Sequence, residues 1–237
     1  MADSGIPLQV RNEALRLLGV DVKLADSELL EKMEAAYRVI VSTAAHKKTY
    51  RIFDLDVKPD KAVVGSAFPI RGRSVAELCR GCRRAALLAV TLGPDIDRLI
   101  RMEQARDMYK ALLLDVCASA EVERLCDTAV CVIKAELLRG EFFLTARFSP
   151  GYGDVPIEDS KNIIDALDAT RTIGLSLTEA GMLVPMKSVT AIMGVSDSPV
   201  PRMAQNCEQC AIKESCEYRR RGGFCGVFDK YKGRDAF

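Results

Sequence analysis

The sequence predicts an α+β fold, and three observations carry that expectation. Helical apolar patterns cluster in blocks at 10–46 and 95–139, while β-like runs fall between and after them instead of alternating one for one. Apolar residues make up 49% and charged residues 28% of the 237, the mixture of a globular protein with a core large enough to offset ordering entropy. No apolar run reaches the roughly 18–20 residues that a bilayer-spanning helix needs.

The elements follow in order. Val10, Ala14, Leu17 and Leu18 recur at helical spacing, and Gly19 stops that helix. A longer helix is expected over 26–46, capped by Asp26 or Ser27, with Leu29, Leu30, Met33, Ala36, Tyr37 and Ile40 as its apolar stripe. Strands are expected at 50–55 and 62–68, with Pro59 and Asp60 between them. Ser74 and Glu77 have capping-box spacing, so a helix begins there. The run AALLAVTLG at 85–93 reads as a buried strand broken by Gly93-Pro94. Two helices follow, at 95–103 and 105–139, the second long and amphipathic. Residues 141–148 are β-like, 158–169 helical, and 173–177, 182–184 and 188–195 are short enough for an antiparallel sheet. Residues 196–205 read as a linker.

Charge and composition exclude some functions. Lys and Arg total 34 against 33 Asp and Glu, so no basic excess supports binding to nucleic acid. The start of the chain lacks a basic segment followed by an apolar run, so no export signal is expected and the cytoplasm is the expected compartment. The single histidine, His46, rules out a His-rich metal site and reads as a surface residue. GxGxxG, Walker A and HExxH patterns are missing.

Nine cysteines in a reduced compartment point to metal or redox work. Cys207, Cys210, Cys216 and Cys225 have C-x2-C-x5-C-x8-C spacing, a four-thiolate set that suits either tetrahedral zinc or a [4Fe-4S] cluster. Cys79 and Cys82 read as ordinary helix cysteines whose thiols share a face. Cys117, Cys126 and Cys131 read as small core or interhelix residues.

The most unusual stretch is RFSPGYGD at 147–154. Arg147 leaves a strand just before a Pro150-Gly151 turn, offering a planar fork of donors to a carboxylate. Tyr152 adds an aromatic face, and backbone amides near the glycines add donors. Such a set suits a small zwitterion bearing a ring system; a surface salt bridge on a strand-to-helix connection is the plainer alternative.

RFSPGYGD at 147–154, IGLSLTE at 173–179 and PMKSVTAIMG at 185–194, in that order, resemble the activation (reactivation) domain of cobalamin-dependent methionine synthase, and especially its stand-alone bacterial form. AVTLGPDID at 89–97 is similar to the segment before that family's central helices. The resemblance implies a C-shaped α+β unit with a twisted antiparallel sheet flanked by helices. It divides the chain into an N-terminal helical segment at 1–48, the activation-like domain at 49–196, and a linker with a Cys-rich metal-binding tail at 197–237.

It further implies binding of S-adenosylmethionine and docking on a corrinoid protein, a methionine synthase or another methyltransferase subunit. There, cob(II)alamin is reduced and methylated, within a methyltransferase system. Residue by residue, Arg147 matches the arginine that holds the methionine carboxylate, and Ser149 sits at a backbone contact to the ligand. Pro150, Gly151 and Tyr152 complete the motif. Asp127 falls near the helix acid that meets the ligand ammonium, Glu179 matches the family's L-T-E, and Lys187 and Ser188 are further candidates. The resemblance also favours iron–sulfur over zinc in the tail, supplied by or replacing ferredoxin or flavodoxin. The chain lacks the D-x-H-x-x-G pattern of a cobalamin module, so it is expected to act in trans. The alternative is a non-catalytic scaffold that senses S-adenosylmethionine or binds the corrinoid partner, with a zinc tail.

Overall fold

The computed structural model describes residues 5–199. Strand β4 (Arg84–Thr91) is buried along nearly its whole length and organises everything else. It pairs antiparallel with β1 (Lys47–Lys58) on one side and with β8 (Ser188–Ser196) on the other, eight residues deep in both ladders. With β2 (Lys61–Val64), β3 (Phe68–Arg71) and β5 (Phe143–Leu144) these strands form a six-stranded antiparallel sheet in the order β3-β2-β1-β4-β8-β5.

Side chains of β4 alternate between two cores, as the period of two requires. Ala86, Leu88 and Val90 point to one, with Met193 and Val195 of β8. That core is covered by α1 (Leu8–Leu18), α2 (Ser27–Thr43), α4 (Pro94–Gln104) and α5 (Met108–Leu138). Ala85, Leu87 and Ala89 point to the other, closed by α3 (Arg73–Leu78), α6 (Ser160–Leu167) and α7 (Ala169–Ile173). A sheet carrying helices on both faces explains why β4 is a continuous apolar run and not an alternating one. Each fully buried leucine on it contributes about 1.5–3 kcal/mol.

The expected α+β class is what the structure has, with local corrections. In α1 the buried residues are Val10, Ala14 and Leu15, with Leu18 packed against the same core; of the expected stripe only Leu17 is exposed, and Leu15 takes its place. The run 62–68 is two strands, because the chain reverses after Val64 through Gly65 and Ser66, both at positive φ. In the 141–148 region only Phe143 and Leu144 form a strand, rejoined by an isolated bridge between Phe148 and Ile192. The helix expected over 158–169 is a 3-10 turn at Ile157–Asp159 followed by α6 and α7, which meet at Asp168 in the left-handed region. Segments β6 (Ser176–Leu177) and β7 (Leu183–Val184) pair only with each other, in a separate two-stranded sheet.

Helix α5 spans 31 residues, about 46 Å at the usual rise. It is not simply amphipathic. Over 111–129 its buried residues include Leu113, Leu114, Val116, Cys117, Ala120, Val122 and Cys126, on several sides, because α1, α2, α4 and the sheet all pack on it. Cys131, expected to be a packing residue, is exposed: it lies on the outward face of α5, while Ile133 and Leu137 farther along the helix are buried. No helix among the described residues is long and apolar enough to cross a membrane.

A fully buried charge lies inside this packing. Glu121 of α5 is fully buried and accepts from Tyr37 Oη of α2 at 3.0 Å and from Arg124 at 2.7 and 2.8 Å. His46 Nε2 lies 2.7 Å from its other oxygen. His46 is therefore not a plain surface residue; it is part of the clamp between α5 and the entry to β1. Burial alone would raise the Glu121 pKa, but Arg124, then His46 and Tyr37, hold it below the ordinary glutamate value. The same burial pushes the Tyr37 hydroxyl up to about 12.

Removing that charge should cost stability in a pH-dependent way. A lowered folded pKa means that the contribution of Glu121 is complete above the ordinary glutamate range and is lost as pH falls through the lowered value. Glu121→Gln is expected to lose about 2 kcal/mol at neutral pH, the scale of a charged hydrogen bond, with the gap to wild type closing in acid. Urea melts of both proteins across the acid range measure this, and parallel pH dependences would refute it.

Candidate functional site

The loop 147–155 leaves the sheet edge with its backbone fixed at both ends. Phe148 and Ile192 exchange two hydrogen bonds, at 3.0 and 2.8 Å, so the residue before Phe148 is held against β8. Beyond it, Gly151 N donates to Val155 O at 2.9 Å and Val155 N to Tyr152 O at 3.1 Å, closing the loop on itself. Pro150 is buried, Ser149 half-buried, and Tyr152 is 61% exposed, its ring offered to solvent.

Asp154 anchors the loop from its far end. Its carboxylate accepts from Arg73 N at 2.6 Å and from Ser74 N at 3.1 Å, the first amides of α3. The expected capping box is thus not what caps α3. The helix begins after Gly72 without a side-chain cap of its own, and an acid from 80 residues away supplies the acceptor. Partial burial acts to raise the Asp154 pKa, but the Ser74 and Arg73 donors outweigh it and leave the value lowered.

The second motif turn lies against the first. Gly151 and Gly181 both have positive φ, and a methyl on either would come 3.5 or 3.2 Å from Ile157. Ile157 therefore sits between the two turns, and glycine permits the close approach. Glu179 lies exposed at the tip of the β6–β7 hairpin, beside Thr178, whose N–H donates to Met182 O at 2.9 Å.

Arg147 faces α5. Its side chain, only 11% exposed, forms an ion pair with Glu123, whose side chain is 30% exposed. Asp115, Ser119 and Glu123 recur every four residues and so share one face of α5. Lys187, just before β8, reaches the same stripe, with Nζ 2.8 Å from Asp115 Oδ1 and 2.9 Å from Ser119 Oγ. Two cations from the sheet edge thus meet two acids of one helix face. Asp127 lies one turn beyond Glu123 and accepts from Gln9 Nε2 of α1 at 2.5 Å. Ser188 is internal: its hydroxyl donates to Pro185 O at 2.6 Å and stands 2.7 Å from Thr91 Oγ1.

The structure therefore brings Arg147 to α5, joins the Ser149–Tyr152 turn to the Glu179 hairpin through Ile157, and ties Asp127 to α1. Glu123 was not singled out in the sequence. Its only signal there is a place one helical turn before Asp127, which makes sense only once Arg147 is known to face that helix.

The cysteine pairs divide. Cys207, Cys210, Cys216 and Cys225 lie outside the described residues, and the metal expectation with them. Among the described residues no group of His, Cys, Asp and Glu could hold a metal ion. Helix α3 ends at Leu78, so Cys79 and Cys82 do not share a helix face as expected. Both are buried thiols, and burial, then Cys82, pushes Cys79 up to about 12. Burial also raises Cys82. Neither is a poised thiolate.

A family model described as vitamin B12 dependent methionine synthase, activation domain, matches residues 81–200, half of the chain. Among solved structures, a crystal structure of the MetH reactivation domain bound to AdoHcy aligns with a TM-score of 0.50 at 17% identity. The alignment covers 86% of this chain and 73% of that one. At that identity the likeness speaks for the fold. No curated protein gives a significant match.

Asp154 should be structural support for the loop. Asp154→Ala is expected to destabilise the protein by about 1 kcal/mol, the usual effect of a lost helix cap. Chemical denaturation measures it, and a change of under a few tenths would mean that the amides of α3 are served equally well by water.

Proposed function

We propose a function on one premise: the chain belongs to the vitamin B12 dependent methionine synthase activation-domain family. It binds S-adenosylmethionine and serves in trans as the reactivation subunit of a cobalamin-dependent methyltransferase, with methionine synthase as the first candidate. The observation that carries this reading is the placement of Arg147. A guanidinium almost closed off from water, fixed by the Phe148–Ile192 bridge, stands beside a glycine-bearing turn with an exposed tyrosine.

These residues fit the ligand's chemistry. A partly desolvated guanidinium favours a carboxylate, and its fork matches one in two parallel hydrogen bonds. Ser149, Pro150 and Gly151 offer backbone close to that point, and Tyr152 offers a ring face to a purine. Glu179 and Asp127 stand as further candidate contacts, from the hairpin and from α5. When bound, S-adenosylmethionine supplies a sulfonium methyl for a corrinoid cobalt held by the partner. The task of this chain's residues is to hold the amino-acid end and the ring so that the methyl faces outward, a matter of orientation. No general base is required of the chain, and none of the candidate residues is placed as one. The tail cysteines Cys207, Cys210, Cys216 and Cys225 remain candidates for a [4Fe-4S] cluster that takes electrons from ferredoxin or flavodoxin, or for zinc.

Arg147→Ala should weaken S-adenosylmethionine binding by about 1.5–3 kcal/mol, roughly ten- to a hundredfold, without comparable loss of thermal stability. Calorimetric titration of the anaerobically purified chain gives the affinity. If wild type binds and the variant matches it, Arg147 is not in the site.

A further inference from the structure

Resting on the reading of Arg147 just given, we infer that Glu123 sets the specificity of this site: it is a built-in competitor that only a ligand carrying its own carboxylate can replace. Arg147 and Glu123 form one ion pair, but its two members are held differently. Arg147 follows directly from the strand ladder, with Thr145 N bonded to Gly194 O at 2.9 Å and Phe148 bonded twice to Ile192. Its side chain is 11% exposed, so the guanidinium has little room to leave. Glu123 stands on α5 with 30% of its side chain exposed, so its carboxylate already borders water.

The asymmetry decides which partner moves. A guanidinium this far from water requires a counter-anion, because burying a charge without compensation is strongly unfavourable. Glu123 meets that need in this structure. A ligand carboxylate entering along the turn at Ser149–Tyr152 exchanges one anion for another on Arg147, and Glu123 is rehydrated. A ligand without a carboxylate has nothing to exchange and would have to leave the pair closed. Nucleosides and amines that share the rest of the ligand's shape are thereby refused. The cost is affinity, since every productive ligand competes with a tethered carboxylate at high effective concentration.

The stripe on which Glu123 stands supports the reading. Asp115, four residues before Ser119 and eight before Glu123, is already paired with Lys187 at 2.8 Å. Arg147 and Lys187 thus pair with different acids of α5, and displacing Glu123 leaves the Lys187 pair intact.

The test is a titration of the full chain and its Glu123→Gln variant with three probes: S-adenosylmethionine, S-adenosylhomocysteine and decarboxylated S-adenosylmethionine. The variant is expected to bind the first two about tenfold more tightly and the third no differently. An equal gain for the first two separates lost competition from any attraction between Glu123 and the sulfonium charge. Glu123→Ala, which offers Arg147 no hydrogen bond, should show at least the same gain and covers the case in which the glutamine variant does not fold. Unchanged or weaker binding of S-adenosylmethionine by the variants, with wild type binding it, overturns the role of Glu123 alone. So does an equal gain for all three probes. Failure of wild type to bind any of them overturns the ligand reading of Arg147 and this inference together.

Discussion

Strand β4 has almost no solvent face, and the arrangement of the other elements follows from that. A strand buried on both sides and both edges must be paired twice and covered twice. Its two ladders fix β1 and β8 in register. Its two faces require helices above and below, which is why Leu87 and Leu88, adjacent in sequence, belong to different cores. Shifting the register of either ladder by one residue would exchange the two sets of side chains and leave both cores mismatched, so the pairing is strongly specified.

Helix α5 is the second fixed element, and it is asked to do two things at once. Along its buried sides it packs against α1, α2, α4 and the sheet, and Glu121 holds Tyr37, Arg124 and His46 in one charged cluster. Along another side it presents Asp115, Ser119 and Glu123 to cations from the sheet edge. Glu121 and Glu123 lie only two residues apart, yet one is buried as a clamp and the other sits half in water. Residues two apart on a helix do not share a face, and that geometry separates the buried charge from the one at the surface.

The loop that carries Arg147 is irregular, but it is not loosely attached. Its start is bonded to β8, its end caps α3 through Asp154, and its middle shares Ile157 with the β6–β7 hairpin. Each anchor comes from a different part of the chain. Side chains on loops keep their geometry when the scaffold over-determines the loop, and here three separate elements do so.

The sequence by itself determined the α+β class, the places of α2, α4 and α5, the buried character of β4, and RFSPGYGD as the stretch to watch, because these rest on local periodicity, turn chemistry and residue type; it carried α2 three residues past its end at Thr43. It misjudged the ends of the sheet and, in α1, took Leu17 for Leu15, because a two-residue strand or a single residue at the margin of a stripe leaves almost no local signal. It assigned the cap of α3 to Ser74, since Asp154 lies 80 residues away and no local rule could pair them. It took His46 for a surface residue because its partner, Glu121, is distant in sequence. What only the tertiary structure decided is which acid Arg147 meets. Asp127 and Glu123 are equivalent on the page of the sequence, one helical turn apart. The approach of the sheet edge to α5 pairs Glu123 with Arg147, and the packing of α1 gives Asp127 to Gln9. Long-range packing chooses between residues that local physics leaves alike.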